Sequence, residues 1–332
     1  MAILNKQVYV PATDHETMLS FKTIRRAIRK PLETFSFRVG TLLVPLFPRF
    51  FMVFAYRVAG TITYYVAKRE RTTGLANLNT VFGETKTQAE KKKILIQSLI
   101  SFTQTMGDIF WFSRFTENRT KKYQTFVPEN GPYFEERAHV IITAHAGNWE
   151  LIGLESALRG VNVASVAAVT KNNAVDKMLN TLREKTGMTI IPREGAMRTL
   201  ISRFRNKGKA AFVLDQNTDE KDGGIWVDFL GMPTPVSSAP AHLAYRTGTD
   251  IIFAFSQPIK KGYYEAHTGQ IITPPAFDKD ADHKKIVAAL TQQIMGVVST
   301  QIRNHPESWL WSYKHWKQIK PGTDPAIYPH YD

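Results

Sequence analysis

The chain has 332 residues, 43% of them hydrophobic and 11% aromatic, enough to bury a sizeable core in one large domain. It contains no cysteine, which excludes disulfides, thiolate nucleophiles, Cys-ligated zinc and iron–sulfur clusters. The net charge of +14 is concentrated early: through Arg71 there are 12 Lys/Arg against 4 Asp/Glu, a net of +8.

The start MAILNKQVYVPATDHETM lacks a basic segment followed by an apolar one, so no cleaved secretion signal is expected and a cytoplasmic site is. Residues 1–30 read as a basic tail in which Lys22, Arg25, Arg26, Arg29 and Lys30 suit an anionic membrane surface. Residues 31–70 read as a membrane-associated helical segment. From Val39 to Ala67 only Arg49 and Arg57 interrupt the apolar run, so no charge-free stretch reaches the ~18 residues of a simple span. Arg57, Thr61, Tyr64 and Lys68 are spaced to form one polar stripe, as in a helix lying in the bilayer interface. An ordinary core helix with a basic flank is the alternative. The basic residues sit beside apolar sequence without a nucleic-acid-binding pattern, so nucleic acid is not an expected partner.

Residues 71–127 read as helical. Thr87 and Glu90 form a capping box, and Leu95, Leu99, Phe102 and Met106 recur at helical spacing, predicting a helix from about Thr87 to Phe112. After Pro128 short apolar runs alternate with helical stretches. HVIITA, ASVAAV, MTIIP, KAAFVLD and DIIFAF read as strands, with LIGLESALRG, KMLNTLREKTG and MRTLISRFRNKG as the helices between them. That alternation predicts an α/β fold with a central sheet flanked by helices over residues 128–321, followed by a short tail, 322–332.

The stretch ITAHAGNWELIGL ends a strand on His145, turns at Gly147 and enters a helix. Across such a junction His145 and Glu150 can meet at the carboxyl end of a strand, where open α/β sheets bind ligands. The Glu150 carboxylate would then fix the imidazole tautomer and make His145 a general base. A core histidine satisfied by a loop carboxylate is the alternative. No phosphate-binding loop, dinucleotide fingerprint, nucleophile elbow or zincin motif is present.

HAGNWE, with RTTGLANLNTVFGE before it and LREKTGMTIIPREGAMRTLISRFRNKG, LDQN, DFLGMPTP and PESWLWSYKHWK after it, resembles the bacterial lipid A secondary acyltransferases, within the wider His-X4-Asp/Glu glycerolipid acyltransferases. The resemblance runs from about Phe37 to Pro321. It implies a glycerolipid acyltransferase-like fold at the cytoplasmic face of the inner membrane. The implied reaction moves an acyl chain from a thioester, on acyl carrier protein in preference to coenzyme A, to a lipid hydroxyl, a lipid A-type precursor being favoured. His145 would be the base and Glu150 its partner. Arg183, Arg193 and Asp215 would line the polar site, and Lys317 would close the C-terminal motif. No cofactor and no metal are called for.

A thioester is already activated, so no covalent nucleophile is needed. The HAGN turn and the following helix could supply N–H donors to the oxyanion, and the arginines could hold phosphates. SRFRNKGK could dock an acidic carrier protein. The sequence departs from the family at Tyr313 to Lys317 (YKHWK), at VTKNN and at Phe229-Leu230, which leaves other acceptors open, phosphatidylinositol mannosides or ornithine lipids among them. A non-catalytic lipid-binding protein of the same fold is the competing reading. His315 and the WLW of Trp309 to Trp311 are expected to pack the core.

Overall fold

The computed structural model describes residues 21–167 and 172–331, with side chains from residue 29 onward. Lys22, Arg25, Arg26, Lys171 and the end of ASVAAV therefore lie outside the described side chains or residues. In chain order the elements are α1 (Phe21–Leu43), α2 (Arg49–Val66), α3 (Lys68–Phe82), α4 (Gln88–Trp111), α5 (Thr116–Tyr123), β1 (Gln124–Val127), β2 (His139–Thr143), α6 (Trp149–Leu158), β3 (Val163–Ala167), α7 (Asn173–Glu184), β4 (Thr189–Pro192), α8 (Ala196–Arg205), β5 (Lys209–Val213), β6 (Gly224–Phe229), β7 (Met232–Ser237), α9 (Ala239–Thr247), β8 (Ile251–Phe253), β9 (Phe255–Pro258), β10 (Tyr264–His267), β11 (Ile271–Ile272) and α10 (His283–Asn304).

The central sheet has six strands in the order β11-β8-β2-β5-β3-β4, with β11 antiparallel and the others parallel. Strand side chains alternate between the faces. Val140, Ile142 and Ala144 of one face pack with α8, α9 and α10, and Ile141 of the other packs on Ile152 of α6 and on Phe126 and Tyr133. Each α/β connection buries a strand that is apolar on both sides, which is why these runs read as continuous hydrophobic stretches. DIIFAF is the exception: it divides between β8 of the central sheet and β9, which pairs with β10 in a separate three-stranded sheet.

One irregularity of the ladder positions the site. β3 follows β5 only as far as Ser165 opposite Ala211, after which β5 continues beside β2 to Val213 and β3 continues beside β4 to Pro192. The sheet therefore opens at its carboxyl edge between β3 and β5, the place where chain connections diverge and ligands bind in open sheets.

The helical region before the sheet packs directly onto this scaffold. α4 carries the capping box expected at Thr87 and Glu90 and ends at Trp111, as the periodicity indicates. Asn77 of α3 is fully buried and donates to the Trp311 and Tyr313 carbonyls, and Ser98 of α4 bonds the Trp309 carbonyl. α1 begins before residue 30, so a boundary between tail and helix there is not seen. Of the expected polar stripe, Arg57 and Lys68 are exposed, Thr61 is half-buried and Tyr64 is buried. The inward face of α2 carries Arg49, Met52, Tyr56, Gly60 and Tyr64, while Phe50, Phe54, Val58, Ile62 and Tyr65 face outward. Gly60 lets α2 approach the α4 backbone, since a Cβ there would lie 2.5 Å from the Ile100 Cα.

Candidate active site

β2 ends at Thr143, and the chain turns through His145–Asn148 into α6. Gly147 has φ +61°, and a Cβ on it would stand 1.7 Å from the Ser256 carbonyl oxygen, so only glycine fits where the turn crosses the end of β9. Asn148 caps α6 by accepting from the Leu151 amide at 3.0 Å. The turn is also stapled to the C-terminal motif: the Gly147 amide donates to Ser308 and the Leu310 amide to the His145 carbonyl.

The partner of His145 is Asp215, not Glu150. Thr143 lies opposite Val213 in the β2–β5 ladder, so two residues farther on His145 and Asp215 stand side by side. Asp215 Oδ1 lies 2.8 Å from His145 Nδ1 and also accepts from the His145 amide at 3.1 Å, while Oδ2 accepts from Trp309 Nε1 at 2.8 Å. Burial of Asp215 acts to raise its pKa, but His145, with the neighbouring donors, outweighs it and holds the carboxyl at about 2. An ionised acceptor on Nδ1 puts the ring proton there and leaves the Nε2 lone pair free. For His145 burial opposes the charge, yet the Asp215 carboxylate, and more weakly Glu150, raise its pKa above the ordinary 6.5.

Glu150 instead forms a two-pronged ion pair with Arg183 of α7, Nε to Oε2 at 3.0 Å and Nη2 to Oε1 at 2.5 Å. Asn148 starts the helix so early that Glu150, in its first turn, is aimed sideways at α7 rather than back at the ring. His145, Glu150, Arg183 and Arg193 all line one cavity of about 510 Å³ at the open edge of the sheet. Arg193 is exposed on its rim. Lys317 does not line it; after the buried Trp316 the chain runs outward and Lys317 is exposed. The buried member of that motif is His315, which stacks on Trp309 with ring centroids 4.1 Å apart and contacts the Asp215 carbonyl; burial lowers its pKa to about 4, so it is neutral. It packs the core, as expected.

The HAGN turn does not offer oxyanion donors. The amides of His145, Ala146, Gly147 and Asn148 are all engaged, by Asp215, Ala144, Ser308 and Ser256. SRFRNKGK, at the far end of α8, sits at the opposite edge of the sheet from the cavity mouth, because α8 enters β5 there at its amino end. Sequence reasoning also missed a polar network below the turn. Asp108 of α4, 2% exposed, accepts from both Arg49 terminal nitrogens, from Tyr264 Oη at 2.6 Å and from Asn148 Nδ2 at 3.1 Å. The one signal for it was the charge at Arg49, which together with Arg57 interrupts an apolar run.

A family model described as bacterial lipid A biosynthesis acyltransferase matches residues 19–318. The chain belongs to that family. It is similar to the phosphatidylinositol mannoside acyltransferase of Mycobacterium tuberculosis (strain CDC 1551 / Oshkosh), 26% identical over 181 residues, 53% of this chain and 54% of that protein. The protein of the same name from Mycolicibacterium smegmatis is 23% identical over 184 residues, 54% of this chain and 57% of its own. The chain spans about half the length of the curated relatives it matches.

Proposed function

We propose that the protein transfers a fatty acyl chain from a thioester to a hydroxyl of a membrane glycolipid, with His145 as general base. The observation that carries this reading is the His145–Asp215 pair: a buried carboxylate fixes the tautomer, and the imidazole it orients lines a large cavity in a chain of an acyltransferase family. Nε2 takes the proton of the acceptor hydroxyl as oxygen attacks the thioester carbonyl; collapse of the tetrahedral intermediate breaks the C–S bond, and the departing thiolate takes that proton from the His145 imidazolium. Such base catalysis contributes ~10²–10⁴-fold. The first-turn amides of α6, at Trp149 and Glu150, are the backbone donors closest in the chain to the developing oxyanion. Arg183 is held in place by Glu150, and Arg193 lies on the rim; both suit phosphate, on the acceptor or on the phosphopantetheine arm that acyl carrier protein and coenzyme A share. The relatives' names favour a phosphatidylinositol mannoside type of acceptor, the family description a lipid A-type precursor; both are sugars bearing hydroxyls.

The protein works on the cytoplasmic membrane surface, lying on it through α1 and α2. Among the described residues no single helix is long and apolar enough to cross a membrane; α2 and α3 together pass by composition but are bent by 87°. The outward row of Phe50, Phe54, Val58, Ile62 and Tyr65, with Arg57 exposed beside it, suits an interfacial helix. α1 also packs on the start of α7, where Asn172 donates to the Lys30 carbonyl at 3.1 Å. Burying a phenylalanine contributes ~1.5–3 kcal/mol, so the Phe50→Ser/Phe54→Ser variant should partition into anionic vesicles ~100-fold less well in a flotation assay.

The reaction is tested with purified protein, a labelled acyl thioester and a bacterial lipid extract. Label should pass to the lipid fraction, and the His145→Ala variant should leave it on the thioester. Equal transfer by both proteins would refute the assignment, and retention of lipid binding without any transfer would make this a lipid-binding protein.

A further inference from the structure

Below His145 the cavity continues as an apolar limb between the sheet and α6. The ladder register orders its walls in rows. Thr143 and Val213 form the first below His145, then Ile141, Ala211 and Ser165, then Val163 with Met188 one step before β4. Ile152 and Gly153 of α6 form the roof. The limb ends at that third row. Tyr133 is 1% exposed and fixed to Ser156 by a 2.7 Å hydrogen bond, and the strand positions beside Val163 are polar: Lys209 donates to the Glu135 and Arg137 carbonyls, and His139 is fully buried. Gly153 and Met188 meet across the end, where a Cβ on Gly153 would stand 2.8 Å from the Met188 Sδ.

We infer that Met188, seated on Gly153, sets the length of the acyl chain the protein accepts. The inference rests on the proposed acyl transfer for its use, though the limb can be measured without it. From His145 to the third row is six residues of strand, about 20 Å at ~3.3 Å per residue. A saturated chain of ~1.5 Å bonds at tetrahedral angles advances about 1.25 Å per carbon, so the limb holds at most about 16 carbons. Methionine is suited to such a stop, since its thioether fills an irregular end without leaving a void. Gly153 is what allows the stop to lie so deep; a side chain there would push Met188 toward the mouth.

The test is competition by saturated fatty acids of roughly 10 to 22 carbons against labelled palmitate on purified protein, run beside transfer from the matching thioesters. In the unaltered protein affinity should rise about fourfold per methylene up to about 16 carbons and then fall. Met188→Ala, which removes three heavy atoms from the floor, should move the maximum up by about two carbons. Gly153→Leu should move it down by about four and keep binding of the shortest chains. The same optimum in all three proteins, or affinity that climbs past 18 carbons without a break, would overturn the assignment. A length series that behaves as described with no transfer from any thioester would uphold the limb and reject the acyl-transfer reading.

Discussion

Asp215→Asn should lower acyl transfer by about 10²–10⁴-fold while the protein stays folded. The amide can still fill the space between His145 Nδ1, the His145 amide and Trp309 Nε1, but it no longer selects the tautomer with the proton on Nδ1. The pH dependence supplies a second signature. As a base His145 must be unprotonated, so activity rises with pH through its pKa, which the Asp215 carboxylate holds above 6.5. Without that charge burial dominates, and the acid limb should move below 6.5 on a much lower plateau. A pH–rate profile of kcat/KM for both proteins checks this. An unshifted limb would mean that some other group is titrating. The same linkage has a stability side: Asp215, depressed to about 2 from 3.8, contributes stability that is present above pH 3.8 and lost as pH falls toward 2.

The second large effect is at Asp108. Asp108→Ala leaves Arg49, 5% exposed, as an uncompensated buried charge and should cost about 3–5 kcal/mol, read as a fall in Tm of about 10 °C. The double variant Arg49→Met/Asp108→Leu replaces the pair by apolar groups of similar size and should recover most of that loss. It should not recover transfer, because Asn148 would still lack the carboxylate that holds it at 3.1 Å and with it the turn carrying His145. Thermal unfolding and transfer rates measured on the same samples separate the two roles. If the double variant is as unstable as the single one, Asp108 acts through packing rather than charge.

What was legible in the chain was local. The capping box at Thr87 and Glu90 and the strand–turn–helix around Gly147 were all readable because each is decided within a few residues. His145 could be singled out for the same reason. Its partner could not. Asp215 is 70 positions away and arrives beside His145 only through the strand order, β5 lying against β2, which no local pattern encodes. Glu150 was drawn to His145 by proximity in sequence, and the early start of α6 at the Asn148 cap turned it toward Arg183 instead.

α2 was legible in part. Arg57 and Lys68 of the polar stripe are exposed, whereas Tyr64 of that stripe, and Arg49 outside it, are buried against other segments, contacts that a helical period alone does not encode. Lys317 shows the limit of carrying a motif over by position: the buried contacts of the C-terminal run belong to Trp309, Trp311, His315 and Trp316.

The most direct measurement is mass spectrometry of membrane lipids from host cells making the protein or its His145→Ala variant. A membrane glycolipid heavier by one acyl chain, present with the unaltered protein and absent with the variant, is the expected result, and its mass names both acceptor and chain length. Identical lipid profiles, with both proteins expressed at equal levels in the membrane fraction and glycolipids bearing free hydroxyls in the host, would contradict acyl transfer by this site.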